Sequence, residues 1–261
     1  MHKTNYHTHT VRCHHAVGAD RDYFDTAVRA GYTVLGMSDH APYPYLNGYR
    51  APGRMQMEET GEYLSTMAAL RAAYRDRLTV YIGFECEALP DYKAHLAELK
   101  SRCDYLVMGH HGNESTGEPF YGCVRTPEQV RKYTREVLAG MEWGLFDCLA
   151  HPEVCLASYP VWDDAAQDMA LQITRAARAL HMPLEYNLFG VYKQTQNPQG
   201  LGYPYFRFWE AAAREGCDAI LGVDAHDPAR LTTPDYEAAD RYLRSLGLNV
   251  IRCLPGLEAK R

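Results

Sequence analysis

The chain has 261 residues, of which 46% are hydrophobic and 23% charged, as in an ordinary globular protein long enough for one large α/β domain. A net charge of −6 without a basic stripe argues against nucleic-acid binding, and the absence of an apolar run of about 18 residues argues against a membrane span. The first strand-like segment follows Met1 so closely that no signal peptide is expected, which predicts a cytoplasmic protein.

Strand-like and helix-like segments alternate from one end of the chain to the other. Strands are predicted at 3–8, 32–38, 78–84, 105–108, 145–150, 183–186 and 219–223, and an apolar piece at 249–254 could close the sheet. Helices are predicted at 20–30, 57–75, 92–102, 126–143, from 163 or 164 to 180, 205–215 and 236–246. Asp20 and Thr126 are the expected caps of the first and fourth helices. We interpret 41–52 and 188–204, which are rich in proline, glycine or amides, as loops long enough to cover a site.

The order of these segments predicts the architecture. Seven successive strand–helix units without a linker or repeat indicate one domain, residues 1–261, built on a parallel sheet. We expect a closed or nearly closed (β/α) barrel rather than an open sheet, because polar residues collect where the strands end.

The eight cysteines, at positions 13, 86, 103, 123, 148, 155, 217 and 253, form no C-x-x-C pair. A structural zinc site built from paired cysteines is therefore not expected. In a chain with no export signal, we interpret most of these residues as reduced thiols in the core.

Every predicted strand ends in a residue type that binds metal ions or transfers protons. His7 and His9 project from the same face of the first strand, since side chains alternate along a strand. The loop that follows adds His15. The later strands end in Asp39, His40, Glu85, Glu87, His110, His111, His151, Glu185, Asn187, Asp224 and His226. Because the carboxyl ends of barrel strands meet at one rim, these residues predict a polynuclear metal site.

Three residues near this site have alternative interpretations. Asp39 is either a ligand or a carboxylate that orients His40. Glu87, two residues past Glu85, could simply be solvated. Cys13 is soft enough to bind zinc, but packing explains a single thiol among hard ligands better.

Two pairs of adjacent histidines pose a choice. His110 and His111 point to opposite faces, so only one of them is expected to face the site, and the same holds for His14 and His15. A purely structural role for the whole set would require buried, uncompensated histidines and carboxylates, which is costly.

With these residues in place, the chain resembles the polymerase-and-histidinol-phosphatase (PHP) superfamily, and within it the histidinol-phosphatase type. The matching segments are H-T-H-T-V-R-C-H-H-A (7–16), S-D-H-A-P (38–42), G-F-E-C-E (83–87), D-Y-L-V-M-G-H-H (104–111), A-H-P (150–152), L-E-Y-N (184–187) and G-V-D-A-H (222–226). The resemblance implies a distorted, TIM-like (β/α)7 barrel that holds three divalent metal ions.

The resemblance also implies which residues hold the ions. The implied sets are His7, His9, Glu85 and Asp224 for the first ion, Glu85 as a bridge with His111 and His151 for the second, and His15, His40 and His226 for the third. His14 and His110 are then neighbours of ligands. Zinc, manganese and iron all suit imidazole and carboxylate ligands.

Two segments depart from the histidinol-phosphatase pattern. The loop after L-E-Y-N usually carries an arginine for the substrate phosphate, but Tyr192 stands there, followed by Lys193. The segment after His151 reads P-E-V-C-L and lacks the expected basic residue. Lysine binds phosphate as a point charge without the bidentate geometry of arginine. The candidate substrate contacts are Lys193, Asn187 and Arg54.

These features predict a metal-dependent phosphomonoesterase with L-histidinol phosphate as the favoured substrate. A hydroxide held between two ions would attack phosphorus, and Asp224, His226 or Asp39 would supply a proton to the leaving alcohol. The chain has no Walker A loop, G-x-S-x-G motif or dinucleotide fingerprint. The alternatives are a phosphodiesterase or nuclease of the same superfamily, a phosphatase for another small metabolite, and a non-catalytic domain. The expected partner is a small phosphorylated metabolite, with no nucleic acid and no membrane, and the sequence predicts no oligomeric state.

Overall fold

Parallel strands and helices alternate through the computed structural model, which describes residues 2–118, 120–233 and 235–257. The strands are β1 Lys3–Asn5, β2 Tyr32–Met37, β3 Thr79–Cys86, β4 Tyr105–Met108, β5 Cys148–Leu149, β6 Leu184–Asn187, β7 Asp218–Gly222 and β8 Asn249–Val250. The α-helices are α1 Asp20–Arg29, α2 Thr60–Tyr74, α3 Lys93–Ser101, α4 Pro127–Met141, α5 Asp164–Leu180, α6 Leu188–Gln196, α7 Phe206–Glu215 and α8 Asp235–Ser245. The sheet order follows the chain from β1 to β8.

The sheet is curled, so that the end of β1 lies beside the end of β7. Just beyond β1, Thr8 forms a parallel bridge with Ala225, which follows β7. The amide of His9 donates to the Ala225 carbonyl at 2.9 Å, and the Ala225 amide donates to the His7 carbonyl at 3.2 Å. Strand β8 pairs instead with the amino end of β7. The predicted distorted, TIM-like (β/α)7 barrel is confirmed.

A layer of tyrosines fills the barrel below its polar rim. Tyr6, Tyr81 and Tyr105 belong to one buried cluster, in which the ring of Tyr6 contacts both of the others. The hydroxyl of Tyr105 donates to the Tyr6 carbonyl at 2.7 Å, and that of Tyr81 donates to the Leu257 carbonyl at 3.1 Å. A Cβ at Gly36 would lie 2.3 Å from the Tyr105 hydroxyl, so this glycine makes room for the ring. Tyr81 and Glu85 share one face of β3, and the layer therefore lies directly beneath the polar residues.

The helix caps agree only in part with the sequence prediction. Thr126 caps α4 as predicted, because its hydroxyl accepts a hydrogen bond from the Gln129 amide at 3.3 Å. The predicted cap at Asp20 is wrong. Ala19 is the cap residue of α1, and its amide donates to the Asp22 carboxylate at 2.9 Å. Asp20 is the first helical residue, where a negative charge also stabilises the helix.

The largest error lies in the segment 188–204, which was predicted to be a loop. Its first half forms α6, which begins directly after β6. The side-chain oxygen of Asn187 accepts a hydrogen bond from the Gly190 amide at 2.8 Å and so caps the helix. The glycine and amides of this segment concealed the helix. Strand β5 is also shorter than predicted, since only Cys148–Leu149 pair as a strand.

Two expectations from composition agree with the structure. All eight cysteines are free, and five are buried: Cys13, Cys86, Cys148, Cys155 and Cys217. Within the described ranges, the helices are too short or too polar to cross a bilayer.

Asn5 offers a test of barrel closure, because its buried side chain links β1 to the end of β7. It donates to the His7 carbonyl and the Thr8 hydroxyl at 3.0 and 2.8 Å, and accepts from the amides of His7 and Val223 at 3.2 and 2.8 Å. Asn5→Ala leaves these buried groups unpaired. We expect a loss of about 2–4 kcal/mol in the free energy of unfolding, measured by denaturant titration.

The matched control is Asn249→Ala. Asn249 is exposed and donates a single side-chain hydrogen bond to Asp218 at 2.7 Å. We expect its loss to change the free energy of unfolding by no more than about 0.5 kcal/mol. Equal losses in the two variants would contradict the role assigned to Asn5.

Candidate metal centre

A cleft of about 440 Å³ opens at the carboxyl ends of the strands. The nine residues predicted as metal ligands all meet in its wall or directly beneath it: His7, His9, His15, His40, Glu85, His111, His151, Asp224 and His226. The candidate ligands that were predicted from the strand ends therefore lie close together in the structure.

Five histidine rings surround the buried carboxylate of Glu85. Its Oε2 lies 3.3, 3.5 and 2.9 Å from ring nitrogens of His7, His9 and His40, and its Oε1 lies 3.7 and 2.9 Å from ring nitrogens of His111 and His151. Glu85 is 1% exposed, so these rings replace its contact with solvent. A carboxylate whose two oxygens face different sets of imidazoles has the geometry of a bridging ligand.

Asp224 completes the inner part of the site. Its Oδ1 lies 3.5 Å from His7 Nε2, 3.1 Å from His9 Nε2 and 3.3 Å from His226 Nδ1. Its backbone has φ of 52°, in the left-handed region that residues other than glycine rarely occupy. Such strain is often retained at functional sites because the surrounding structure fixes a side chain in place.

The outer part of the site consists of His15, His40 and His226. One ring nitrogen from each lies within 4.8 Å of the others. His15 Nδ1 lies 2.7 Å from the Cys13 carbonyl, and His226 Nδ1 lies 3.2 Å from the Asp224 carbonyl. A carbonyl can only accept, so these contacts place a proton on Nδ1 and leave Nε2 of both rings as a free ligand atom.

The unpaired buried atoms of the site fit metal ions. Among the described residues, His7 Nε2, His9 Nε2, His40 Nδ1, His226 Nε2 and Asp224 Oδ1 are buried without a hydrogen-bond partner. Buried polar atoms are otherwise nearly always paired. These five converge on the same small volume and combine imidazole nitrogen with carboxylate oxygen, a donor set suited to zinc, manganese or iron.

Carboxylates behind the site orient three of the histidines. Glu185 lies 2.8 Å from His7 Nδ1, and Glu87 lies 3.0 Å from His111 Nδ1. Asp39 lies 3.5 Å from His9 Nδ1. Partners of this kind fix the ring orientation and tautomer of a metal-binding histidine.

The structure decides how Asp39 and Glu87 are used. Asp39 is fully buried and accepts hydrogen bonds from the Thr10 amide and hydroxyl and from the His40 amide. It therefore lies behind His9, away from the cleft wall, and contacts His40 only through the backbone. The interpretation of Glu87 as a solvated carboxylate is wrong, since it is 1% exposed.

Each pair of adjacent histidines divides as the PHP resemblance implied. His111 lines the cleft, whereas buried His110 contacts Glu136 at 2.9 Å through Nε2. His15 lines the cleft, whereas His14, with φ of 64°, does not. Cys13 is fully buried, and burial raises the pKa of its thiol, which favours the neutral packed form.

The site has two electrostatic halves. Burial alone would lower the pKa of His9, but the carboxylates of Asp224 and Asp39 raise it to about 9. In the outer half, burial lowers the pKa of His40 to about 4 and that of His226 to about 2. The inner half therefore attracts positive charge, so that a metal ion would displace protons there, while the outer half offers neutral imidazoles.

The three candidate substrate contacts occupy different places. Lys193, on α6, lines the cleft. Arg54 also lines it, but all of its donors are engaged by Glu87, Glu114 and the Ala41 carbonyl. Buried Asn187 lies beneath the site, where its amide group donates to Glu185 and Asp224 at 3.0 and 3.1 Å. Its geometry is that of a residue that positions these carboxylates.

Sequence reasoning missed the aromatic wall of the cleft. The rings of Phe120, Phe189 and Tyr203 line the cleft and lie 5.5, 5.4 and 6.1 Å, centroid to centroid, from those of His111, His226 and His151. They come from loops and from α6, where no spacing rule marks a residue. Glu185 was predicted to lie at its strand end, on the same face of β6 as Asn187, but its contact with His7 depends on the fold and was not predicted.

Comparisons with known proteins agree with this geometry. The profile of the PHP domain family matches residues 5–189. A probable histidinol-phosphatase of Deinococcus radiodurans is 28% identical over 239 residues, which cover 86% of each chain.

Two solved structures share the fold. A putative histidinol phosphatase from Listeria monocytogenes has a TM-score of 0.75 and 19% identity over 90% of this chain and 99% of its own. Histidinol phosphate phosphatase from Lactococcus lactis, solved with zinc, L-histidinol and phosphate, has a TM-score of 0.73 and 17% identity over 95% of both chains.

Gly109 tests whether the position of Glu85 determines metal binding. A Cβ at Gly109 would lie 1.8 Å from Glu85 Oε1, so Gly109→Ala must displace the carboxylate. We expect metal affinity to fall about tenfold or more, as metal content after dialysis and competition with a chelator would show. Circular dichroism should show a folded protein.

The control for this variant is Gly61→Ala in α2, where a Cβ would have no neighbour within 4 Å. We expect unchanged metal content and a free energy of unfolding that is equal or higher by up to about 1 kcal/mol. Full metal affinity in Gly109→Ala would show that the Glu85 position is not critical.

Proposed function

The chain belongs to the PHP domain family, and we propose that it is a metal-dependent phosphomonoesterase that hydrolyses L-histidinol phosphate to L-histidinol and phosphate. The observation that carries this proposal is the convergence of unpaired buried ligand atoms around Glu85 at the rim of a barrel. The relative from D. radiodurans and the fold neighbours bear histidinol-phosphatase names, which favours the same substrate class. The expected cytoplasmic location and one-domain organisation stay predictions.

We assign the ligand atoms to three divalent ions of zinc, manganese or iron. The sets are His7, His9, Glu85 and Asp224, then Glu85, His111 and His151, then His15, His40 and His226. When bound, such ions stabilise the charge of a phosphoryl group and lower the pKa of water.

The protein side chains would bind the phosphoryl group and handle the proton. Lys193 supplies a point charge at the wall of the cleft for the phosphate oxygens. Despite burial, the charges of His7 and His226 and a hydrogen bond from His9 hold the pKa of Asp224 well below its usual range. The Asp224 carboxylate is thus ionised, as a metal ligand must be. We assign the delivery of a proton to the leaving alkoxide to Asp224 or His226, which both line the cleft.

Glu114 is a partner for the ammonium group of an amino-alcohol substrate. It lines the cleft, and Arg54 holds only one of its oxygens, Oε1, through contacts of 2.7 and 3.2 Å. Its Oε2 has no hydrogen bond within the described part of the chain, and the side chain is 34% exposed. The buried guanidinium therefore fixes a carboxylate with one oxygen available to a cation.

The proposed activity is tested by phosphate release. The protein is stripped of metal, reloaded with zinc, manganese or iron, and assayed with L-histidinol phosphate beside sugar, nucleotide and amino-alcohol monoesters. We expect metal-dependent activity with the highest kcat/KM for L-histidinol phosphate. No release from any monoester, or faster cleavage of bis-p-nitrophenyl phosphate than of the monoester, would reject the proposal.

Glu114→Gln tests the ammonium contact. Without the negative charge, KM for L-histidinol phosphate should rise about tenfold or more, because a hydrogen bond to a charged group is lost. Activity on p-nitrophenyl phosphate, which has no ammonium group, should stay the same. Glu118→Gln is the control, since Glu118 lines the same cleft but is paired with Lys132 at 2.6 Å. Equal effects on both substrates would argue against the assignment of Glu114.

A further inference from the structure

A second cavity, which we call the annex, adjoins the metal cleft. It has a volume of about 510 Å³ and lies between α6, the segment 197–203 and the loops after β4 and β5. Aromatic and amide side chains are prominent in its lining, among them Tyr192, Gln196, Asn197 and Gln199. None of the residues assigned to metal binding lines it.

Four residues line both cavities: Phe120, Phe189, Lys193 and Tyr203. The three aromatic rings are those that contact His111, His226 and His151. The aromatic rings shared by both cavities therefore lie directly between the annex and the residues assigned to metal binding. A phosphate monoester whose phosphoryl group lies at the ligands can place its alcohol portion in the annex.

The chemistry of the annex is that of a site for an uncharged, flat ring. Its described lining contains no carboxylate, and Lys193 at the border is its one charged residue. Aromatic side chains in the lining are suited to contact with a flat ring, while the amides of Gln196, Asn197 and Gln199 offer both donors and acceptors. Aromatic faces and amide side chains are the groups with which proteins recognise nitrogen heterocycles.

The size of the annex exceeds what a five-membered ring requires. Pockets of about 300–1,000 Å³ hold whole drug-sized ligands, and the annex alone reaches this range without the metal cleft. The neutral imidazole of histidinol would fill a small part of it.

We propose that the annex binds an uncharged nitrogen heterocycle of up to purine size, and that the enzyme hydrolyses nucleoside 5′-monophosphates as well as L-histidinol phosphate. This inference rests on the proposed phosphomonoesterase activity. Water forms the new bond to phosphorus, the bond between phosphorus and the 5′ oxygen breaks, and the 5′ alkoxide takes up the proton released by the water. The products are a nucleoside and inorganic phosphate.

The first test compares AMP with ribose 5-phosphate, which lacks the base. Asn197→Trp fills the annex from an exposed position at the end of α6, and Thr195→Trp places the same ring on an exposed residue outside the lining. In the wild type and Thr195→Trp, kcat/KM for AMP should exceed that for ribose 5-phosphate at least about tenfold. In Asn197→Trp this ratio should fall to near one, with ribose 5-phosphate hydrolysed as before.

The second test needs neither metal nor catalysis. Binding of adenosine to the metal-free protein is measured by calorimetry, with an expected weakening of about tenfold or more in Asn197→Trp and no change in Thr195→Trp. If adenosine binds and only Asn197→Trp weakens its binding, but no monoester is hydrolysed, the result would support the annex as a heterocycle site and reject the proposed function. Hydrolysis of L-histidinol phosphate, with equal rates for AMP and ribose 5-phosphate and no adenosine binding, would overturn the annex proposal.

Discussion

The buried carboxylate of Glu85 is the group on which the rest of the site depends. An ionised carboxylate away from water is very costly unless it is paired. Here the pairing groups are imidazoles that follow four different strands, β1, β2, β4 and β5. These groups can reach one carboxylate only if the sheet is curled and in register. Gly109, on the neighbouring strand end, must also lack a side chain. The same curled, in-register sheet therefore determines both the shape of the barrel and the arrangement of the imidazoles around Glu85.

The floor of the site and the walls of the cleft are built from different parts of the barrel. Below the ligands, the tyrosine layer around Tyr105 is buried, and its hydroxyls donate to backbone carbonyls, so the floor of the site is fixed. Above the ligands, the walls come from α6 and from connections such as the segment around Phe120. Loops at the carboxyl ends of barrel strands vary without loss of the scaffold. In the proposed enzyme, substrate selection would therefore depend on residues other than the nine assigned to the metal ions.

The convergence of the candidate ligands was predictable from the sequence because two local rules suffice. Side chains alternate along a strand, and parallel strands of a barrel end at one rim, so candidates such as His7 and His151 could be placed without the structure. The roles of Glu87 and Asp39 could not, because they depend on partners brought together by folding. Glu87 is buried against Arg54, 33 residues away, and His111, 24 residues away, which both pair with it. A helix of nine residues such as α6 lacks the length that makes periodicity informative.

Tyr192 stands where the resemblance implies an arginine, and this difference changes the shape of the site more than its charge. The ring of Tyr192 lines the annex, and the guanidinium of Arg230 stacks 3.6 Å from its centroid. Arg230 has no side-chain ion pair with a carboxylate among residues 2–118, 120–233 and 235–257, so its charge is not neutralised. Lys193 contributes a second cation at the border, 4.6 Å from the Phe189 ring centroid. Positive charge thus stays on this side of the cleft, while Tyr192, at the position where the resemblance implies an arginine, forms part of the wall of the annex.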